Sequence, residues 1–116
     1  MGVNDLPEDV QKKIMDLQNL QIQIQNLQNT HNFLENQKRE TDLAIEELEK
    51  VGSEAVVFKS IGGIMVKSER DKLLDEKKSL KVSTEMRLKT VKQKEERSLQ
   101  TLENMRKSLQ ADLQPK

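Results

Sequence analysis

Apolar residues recur with a seven-residue period along the first half of the chain, at the a and d positions of a heptad repeat. Eight of the twelve a and d positions are apolar, a frequency that is typical of a coiled-coil helix. Residues 8–50 contain no glycine or proline, and Pro7 is followed by two acidic residues, which favours a helix start. The a positions are Val10, Leu17, Ile24, His31, Lys38 and Ile45, and the d positions are Lys13, Leu20, Leu27, Leu34, Thr41 and Leu48. The pattern predicts one long helix over residues 8–50.

A second long helix is predicted over residues 69–113, which also lack glycine and proline. Its apolar pattern is less regular than that of the first helix. One register contains Leu74, Leu88, Val91, Leu102, Met105 and Leu109, whereas Leu80, Leu99 and Leu113 lie outside it. We interpret this irregularity as the mark of a helix that changes partners or widens its contact face towards one end.

Charge distinguishes the two predicted helices. Residues 8–50 contain five Lys and Arg against nine Asp and Glu, and residues 69–113 contain twelve against nine. The opposite net charges favour antiparallel pairing, in which two incomplete apolar seams complete each other. Surface ion pairs contribute only about 0–1 kcal/mol each, so burial of the seam has to provide most of the stability.

The segment between the helices, residues 51–68, predicts a β-hairpin. Two runs of β-prone residues flank Gly62-Gly63, and glycine readily adopts the positive φ that a tight hairpin turn requires. We expect Gly52 to end the first helix as a left-handed cap. The first run contains Val56, Val57, Phe58 and Ile61, and the second contains Ile64, Met65 and Val66.

This hairpin is expected to be an oligomerisation surface. An isolated two-stranded hairpin is marginally stable in water, and this one is apolar on both faces and has two free edges. We therefore predict that residues 54–67 pair with other copies or with related chains in a larger sheet or barrel. The alternative is a turn that packs on its own helices. The candidate contact residues are Val56, Val57, Phe58, Ile61, Gly62, Gly63, Ile64, Met65 and Val66.

The composition argues against an enzyme and against a cofactor. The sequence has no cysteine, a single histidine, and carboxylates scattered along the helices, so no metal site or catalytic constellation can be assembled. His31 occupies a core a position, where a polar residue often sets the register. The segment from Gly62 to Lys67-Ser68 superficially resembles a phosphate-binding loop. It lacks the glycine before the lysine and lies in a predicted strand, so we reject nucleotide binding.

Membrane and nucleic-acid binding are not expected either. The N-terminal residues are too polar and acidic for a signal peptide, and no apolar run is long enough to span a bilayer. A formal net charge of zero removes the simplest electrostatic case for binding nucleic acid. With no cysteine in the chain, which fits a reducing compartment, we expect a cytoplasmic protein.

The order of a long helix, a glycine-centred β-hairpin and a second long helix resembles a β-class prefoldin subunit, of the archaeal β or the eukaryotic subunit-six-like type. In that family a strand with an aromatic–lysine pair leads to a glycine turn and then to an aliphatic strand that ends in lysine. Phe58-Lys59, Gly62 and Ile64-Met65-Val66-Lys67 stand at those positions. One hairpin suits the β class, because α-class subunits carry two. The resemblance implies a mainly α fold, a long antiparallel two-helix coiled-coil hairpin whose central β-hairpin assembles into an intersubunit β-barrel.

The resemblance also implies an ATP-independent chaperone, a hexamer of two α-class and four β-class subunits without a cofactor. Its coiled-coil tips hold unfolded proteins and deliver them to a cytosolic group II chaperonin. The tips contain both chain ends, here residues 1–18 and 100–116. The candidate client-binding residues are Leu6, Val10, Ile14, Met15, Leu17, Leu102, Met105, Leu109 and Leu113. Some of these residues could equally complete the coiled-coil seam, whereas Ile14 and Met15 lie outside it.

Two other functions remain open at the level of sequence. The first is a structural scaffold or tether, a parallel homodimeric coiled coil that binds no client and uses the hairpin as a spacer. The second is a coiled-coil arm that binds RNA through its basic second helix. The RNA-binding arm would not explain a hairpin that is apolar on both faces.

Overall fold

The computed structural model describes residues 2–114. A short 3-10 turn at Val3–Asp5 precedes helix α1, Glu8–Glu49, and strands β1 and β2 lead into helix α2, Arg70–Leu113. The strands span Val56–Ile61 and Ile64–Glu69. The predicted order of two long helices around one β-hairpin is therefore confirmed, with each predicted helix boundary within one residue of the observed one.

Helix α1 begins as predicted but ends differently. Pro7 precedes the first helical residue, and its carbonyl accepts a hydrogen bond from the backbone N–H of Gln11, at 3.0 Å. At the other end, the prediction of a left-handed cap at Gly52 is wrong, because among the described residues only Gly62 and Gly63 have positive φ. Instead, Arg70 Nε donates a hydrogen bond to the Leu48 carbonyl at 2.8 Å. A side chain from α2 thus satisfies a carbonyl that a glycine cap would otherwise serve.

The chain divides into two compact units, each with a segment of both helices. The first unit comprises residues up to His31 and from Thr90 onwards, and the second is Asn32–Lys89. In the first unit, Lys13 pairs with Asp112 and His31 with Glu95. The helices of that unit are therefore antiparallel.

In the second unit, Asp42 pairs with Lys81 at 3.0 Å, and Glu49 lies 3.9 Å from Lys78. This order is also antiparallel. Both ion pairs join an acidic residue of α1 to a lysine of α2, as the opposite charges of the two helices predict. The close pairing with the Asp42 carboxylate raises the pKa of Lys81 above its ordinary value of 10.5. Antiparallel pairing within the chain differs from the extended parallel dimer that the scaffold alternative requires.

The heptad register of α1 is confirmed along its whole length. All twelve a and d residues are buried or half-buried, and Leu34 is fully enclosed at 0% exposure. The buried apolar residues of the two helices are Val10, Ile24, Leu34, Leu48, Leu73, Leu74, Leu88 and Val91. Thr41 and Thr84 are buried among them.

Helix α2 keeps the one register that the sequence indicates, and its contact face is wider at the hairpin end, where Leu73 is buried although it lies outside that register. Counting in sevens from Leu74 and from Lys77, the seam positions up to Leu109 are all buried or half-buried. The seam positions that interrupt the apolar pattern are Lys77, Lys81, Thr84, Glu95 and Ser98. Long charged side chains can bury their stems in such a seam while the charged group reaches water or a partner. Outside this register, Leu80 is half-buried, and Leu99 and Leu113 are exposed.

The two strands form an antiparallel hairpin with a two-residue turn. Ile61 pairs with Ile64, and the φ values of Gly62 and Gly63 are +55° and +84°. Positive φ at both central residues is the conformation of a type I′ turn, whose twist matches that of the strands. The predicted tight turn at Gly62-Gly63 is therefore confirmed.

Candidate functional site

The outer part of the hairpin exposes a cluster of apolar side chains, which we call the hairpin surface. Each of its members is more than two-fifths exposed, and Met65 reaches 66%. The hairpin surface consists of Val56, Phe58, Ile61, Ile64, Met65 and Val66. Because paired strand residues share a face, the register places Ile61, Ile64 and Val66 on one face, and Val56, Phe58 and Met65 on the other. Both faces are thus apolar, as the sequence predicts.

Val57 is the one apolar strand residue that packs on the helices of the second unit. It contacts a buried cluster of Leu48, Leu73 and Leu74, together with Ile45. Its neighbour Val56 points to the other face and is 62% exposed. The alternative that the hairpin packs on its own helices therefore applies at Val57 and not to the hairpin surface.

An ion pair next to Val57 also holds the hairpin on α2. Lys59 Nζ donates a hydrogen bond to Glu76 Oε2 at 2.8 Å. This hydrogen bond lowers the pKa of Glu76 below its ordinary value of 4.5, and the positive charges of Lys59, Lys72 and Lys77 act in the same direction. Lys59 belongs to the aromatic–lysine pair, so in this chain its neighbour Phe58 faces outward while the lysine anchors the strand.

The nine candidate client-binding residues at the chain ends differ in accessibility. Met15 and Leu113 are exposed, at 61% and 52%. Val10 is buried, at 5% exposure, and belongs to the seam. The other six are half-buried: Leu6, Ile14, Leu17, Leu102, Met105 and Leu109. The exposure expected of Met15 from its position outside the seam is present, whereas Ile14 is partly covered.

A polar layer interrupts the seam among these candidate residues. Lys13 occupies a d position, forms an ion pair with Asp112, and donates a hydrogen bond to Ser108 Oγ at 3.0 Å. The Lys13 and Asp112 side chains are 39% and 30% exposed, so water reaches this layer. A solvated ion pair stabilises a helix pair by less than a buried leucine does.

A second polar layer lies at His31. The Nδ1 atom of His31 and Oε1 of Glu95 are joined by a hydrogen bond of 2.6 Å, and the two side chains are 26% and 17% exposed. Both residues occupy core positions of their helices. The predicted placement of His31 in the seam is confirmed, and its partner Glu95 was not predicted.

Clusters that could hold a metal ion and helices that could span a membrane are both absent from the described part of the chain. Within residues 2–114, no three His, Cys, Asp or Glu side chains are grouped so that they could hold a metal. No helix in the same range is long and apolar enough to cross a membrane.

Five further apolar residues are exposed outside the hairpin and the chain ends, and the sequence analysis did not predict their exposure. Ile22, Phe33, Leu43, Val82 and Met86 are each more than half exposed. The heptad register is the signal that identifies them, because all five lie outside the a and d positions. Scattered single apolar residues are common on protein surfaces, and these carry no assignment.

Comparison with known proteins places these features in one family. A family profile described as "Prefoldin subunit" matches residues 11–116. The chain is 34% identical to prefoldin subunit beta of Archaeoglobus fulgidus over 113 residues, which cover 97% of each chain. It is 39% identical to prefoldin subunit beta of Methanothrix thermoacetophila over 93 residues, covering 80% of this chain and 78% of the relative.

A solved structure agrees with the sequence comparisons. The prefoldin beta subunit from Thermococcus strain KS-1 superposes with a TM-score of 0.81 and 27% sequence identity. The superposition covers 97% of this chain and 98% of that one. Both the helices and the β-hairpin are therefore included in the likeness.

Proposed function

The chain belongs to the prefoldin family, and we propose that it acts as a β-class subunit of an ATP-independent chaperone that captures unfolded proteins. Members of this family are non-enzymatic chaperone subunits, in agreement with the prediction that the chain is not an enzyme. The proposed complex is a cytoplasmic hexamer of two α-class and four β-class subunits. It passes its clients to a group II chaperonin.

The hairpin surface is the observation that carries the proposal of assembly. Six apolar side chains on both faces of two strands are exposed, although such groups are normally buried. Within residues 2–114 the sheet consists of two strands, so each strand has one unpaired edge. Strands from neighbouring subunits would satisfy these edges and bury the apolar side chains in a closed barrel. The Val57 contact and the Lys59–Glu76 ion pair would fix the hairpin in position for this pairing.

Client capture is assigned to the apolar residues of the chain ends. Met15 and Leu113 are exposed in the paired helices and can contact an unfolded segment without rearrangement. Methionine adapts to clients of different shape, because its side chain is unbranched and flexible. Each contact would be weak, and several ends in one complex would act together, so the overall affinity would come from multivalency.

The test compares two pairs of substitutions in the assembled complex. Met15→Ser with Leu113→Ser removes apolar surface at the ends, and Leu43→Ser with Val82→Ser removes a comparable exposed surface elsewhere. We expect the first pair to weaken the suppression of aggregation of an unfolded client, and the second pair to leave it unchanged. Equal suppression by both variants would contradict the assignment.

A truncation gives an independent measurement. Removal of residues 1–9 and 106–116 is expected to leave the oligomer intact, because the hairpin that mediates assembly is retained. It is expected to abolish client protection, because apolar residues of both chain ends are lost. Native mass spectrometry reports on the assembly, and light scattering of an aggregating client reports on protection. Full protection by an assembled truncated complex would show that the removed residues, Leu113 among them, are not needed for client binding.

A further inference from the structure

An open groove lies on one flank of the helix pair in the first unit. Its volume is 460 Å³, within the range of small-ligand sites, about 300–1,000 Å³. Its walls come from both helices: Gln23, Asn26, Leu27 and Thr30 of α1, and Lys94, Arg97 and Ser98 of α2. None of these residues is among the predicted client-binding or assembly residues.

The groove exists because a small residue occupies a seam position. Leu27 and Ser98 both stand at d positions of their helices and are half-buried. In a coiled coil, a d residue fills the hole formed by side chains of the facing helix. Serine lacks the volume of the leucine usual at d, so a space remains open to the surface beside Leu27.

The charge of the groove is positive and is not neutralised from α1. Residues 17–34 contain no Asp, Glu, Lys or Arg, and the residues of α1 that line the groove present only amides, a hydroxyl and an apolar side chain to Lys94 and Arg97. Within residues 2–114, neither of these two cations takes part in an ion pair. The nearby carboxylate of Glu95 is engaged by His31. The two cations are therefore available to an anion from outside the chain.

From this arrangement we infer that the groove binds an acidic peptide segment in an extended conformation. The Arg97 guanidinium can hold a carboxylate with two parallel hydrogen bonds, and Lys94 can neutralise a second. The side chains of Gln23, Asn26 and Ser98 supply donors and acceptors for the peptide backbone. The groove is lined by no aromatic residue, so it has no platform on which a nucleic-acid base could stack. A peptide fits these groups better than RNA does.

The test measures binding of a short fluorescein-labelled peptide of alternating glutamate and serine to the full-length chain by fluorescence anisotropy. A peptide with lysine in place of glutamate is the ligand control. The double substitution Lys94→Gln with Arg97→Gln is expected to weaken binding about tenfold or more, the effect of losing charge-assisted hydrogen bonds. Arg106→Gln removes an exposed cation of α2 that does not line the groove, and it should leave the affinity unchanged.

Ser98→Leu tests whether the peptide needs the space of the groove, because it fills that space and leaves both cations in place. The larger side chain fills the space beside Leu27 and should abolish peptide binding without lowering the urea midpoint, because it adds apolar contact to the seam. Undiminished binding by the Lys94→Gln, Arg97→Gln variant would overturn the inference. Equal affinity for the lysine peptide, or displacement of the acidic peptide by a tighter-binding single-stranded RNA, would overturn it as well.

Discussion

Leu34 and Phe33 are adjacent residues of one helix, and their substitution by alanine provides a direct test of the helix seam. Leu34 is fully enclosed at 0% exposure, whereas Phe33 is 64% exposed. Hydrophobicity alone would rank the larger Phe33 as the more important residue. The structure predicts the reverse order.

The magnitude for Leu34→Ala follows from its burial. Loss of three buried carbon groups costs about 2.4 kcal/mol at about 0.8 kcal/mol each, and the remaining cavity adds to this. A two-helix seam can collapse around the cavity, so we expect about 3 kcal/mol, towards the lower end of the range of about 2–5 kcal/mol for such substitutions. Phe33→Ala should change the free energy of unfolding by less than about 0.5 kcal/mol, as is usual at exposed positions.

Urea denaturation followed by far-UV circular dichroism measures both values. With a slope of about 2 kcal/mol per molar urea, Leu34→Ala should lower the midpoint by about 1.5 M, whereas Phe33→Ala should leave it nearly unchanged. Protein concentration has to be the same in all samples, because assembly contributes to apparent stability. Equal midpoints for the two variants, or a larger loss for Phe33→Ala, would refute the seam as described.

Three further predictions concern the hairpin and the polar layer at His31. Lys59→Met removes the hydrogen bond that lowers the pKa of Glu76, so that pKa should rise towards 4.5 in a carboxyl NMR titration; an unchanged pKa would contradict the pairing. The stability contributed by this pair should be complete above pH 4.5 and be lost as the pH falls through the lower pKa of the folded chain. Gly63→Val places a β-branched residue at φ +84° and should dissociate the oligomer while the helical circular dichroism is largely retained; a hexamer of native mass would contradict this. His31→Leu with Glu95→Leu should raise the urea midpoint, since apolar replacement of a semi-buried polar pair is often stabilising, whereas Glu95→Leu alone should not raise it as far.

The sequence pattern was sufficient for the parts of the fold that local periodicity determines. The register of α1 could be read directly, because four of its six d positions are leucines, from Leu20 to Leu48. The Gly62-Gly63 turn was predictable because few residues other than glycine adopt positive φ. The hairpin surface was also predictable, because each strand contains three consecutive apolar residues. Successive residues of a strand point to opposite faces, so both faces of the hairpin had to be apolar.

Features that depend on pairing between distant residues were not predictable in the same way. The register of α2 was less evident because Lys81, Thr84 and Glu95 occupy seam positions, and for Lys81 and Glu95 it is the partners on α1 that show that they belong there. The left-handed cap at Gly52 was wrong because Arg70, eighteen positions further along, reaches the end of α1 instead.

In the candidate sites, too, the features that depend on pairing between distant residues were not predicted. The strand sequence contains Val56 and Val57 side by side, and nothing in it indicates that only Val57 packs on the helices. The groove was missed although two signals were present: the uncharged stretch over residues 17–34, and a serine at a core position. Either signal has a meaning only when the two helices are paired.

Assembly through the hairpin surface is the central claim, and native mass spectrometry of the co-expressed subunits tests it most directly. The chain is produced with an α-class prefoldin subunit, as the native sequence and as Phe58→Ser with Met65→Ser, which alters two exposed residues of one face of the hairpin. We predict a complex of two α-class and four β-class subunits for the native chain, and loss of that complex for the variant with the helical content retained. A variant hexamer of native mass, formed at the same concentration, would contradict the claim.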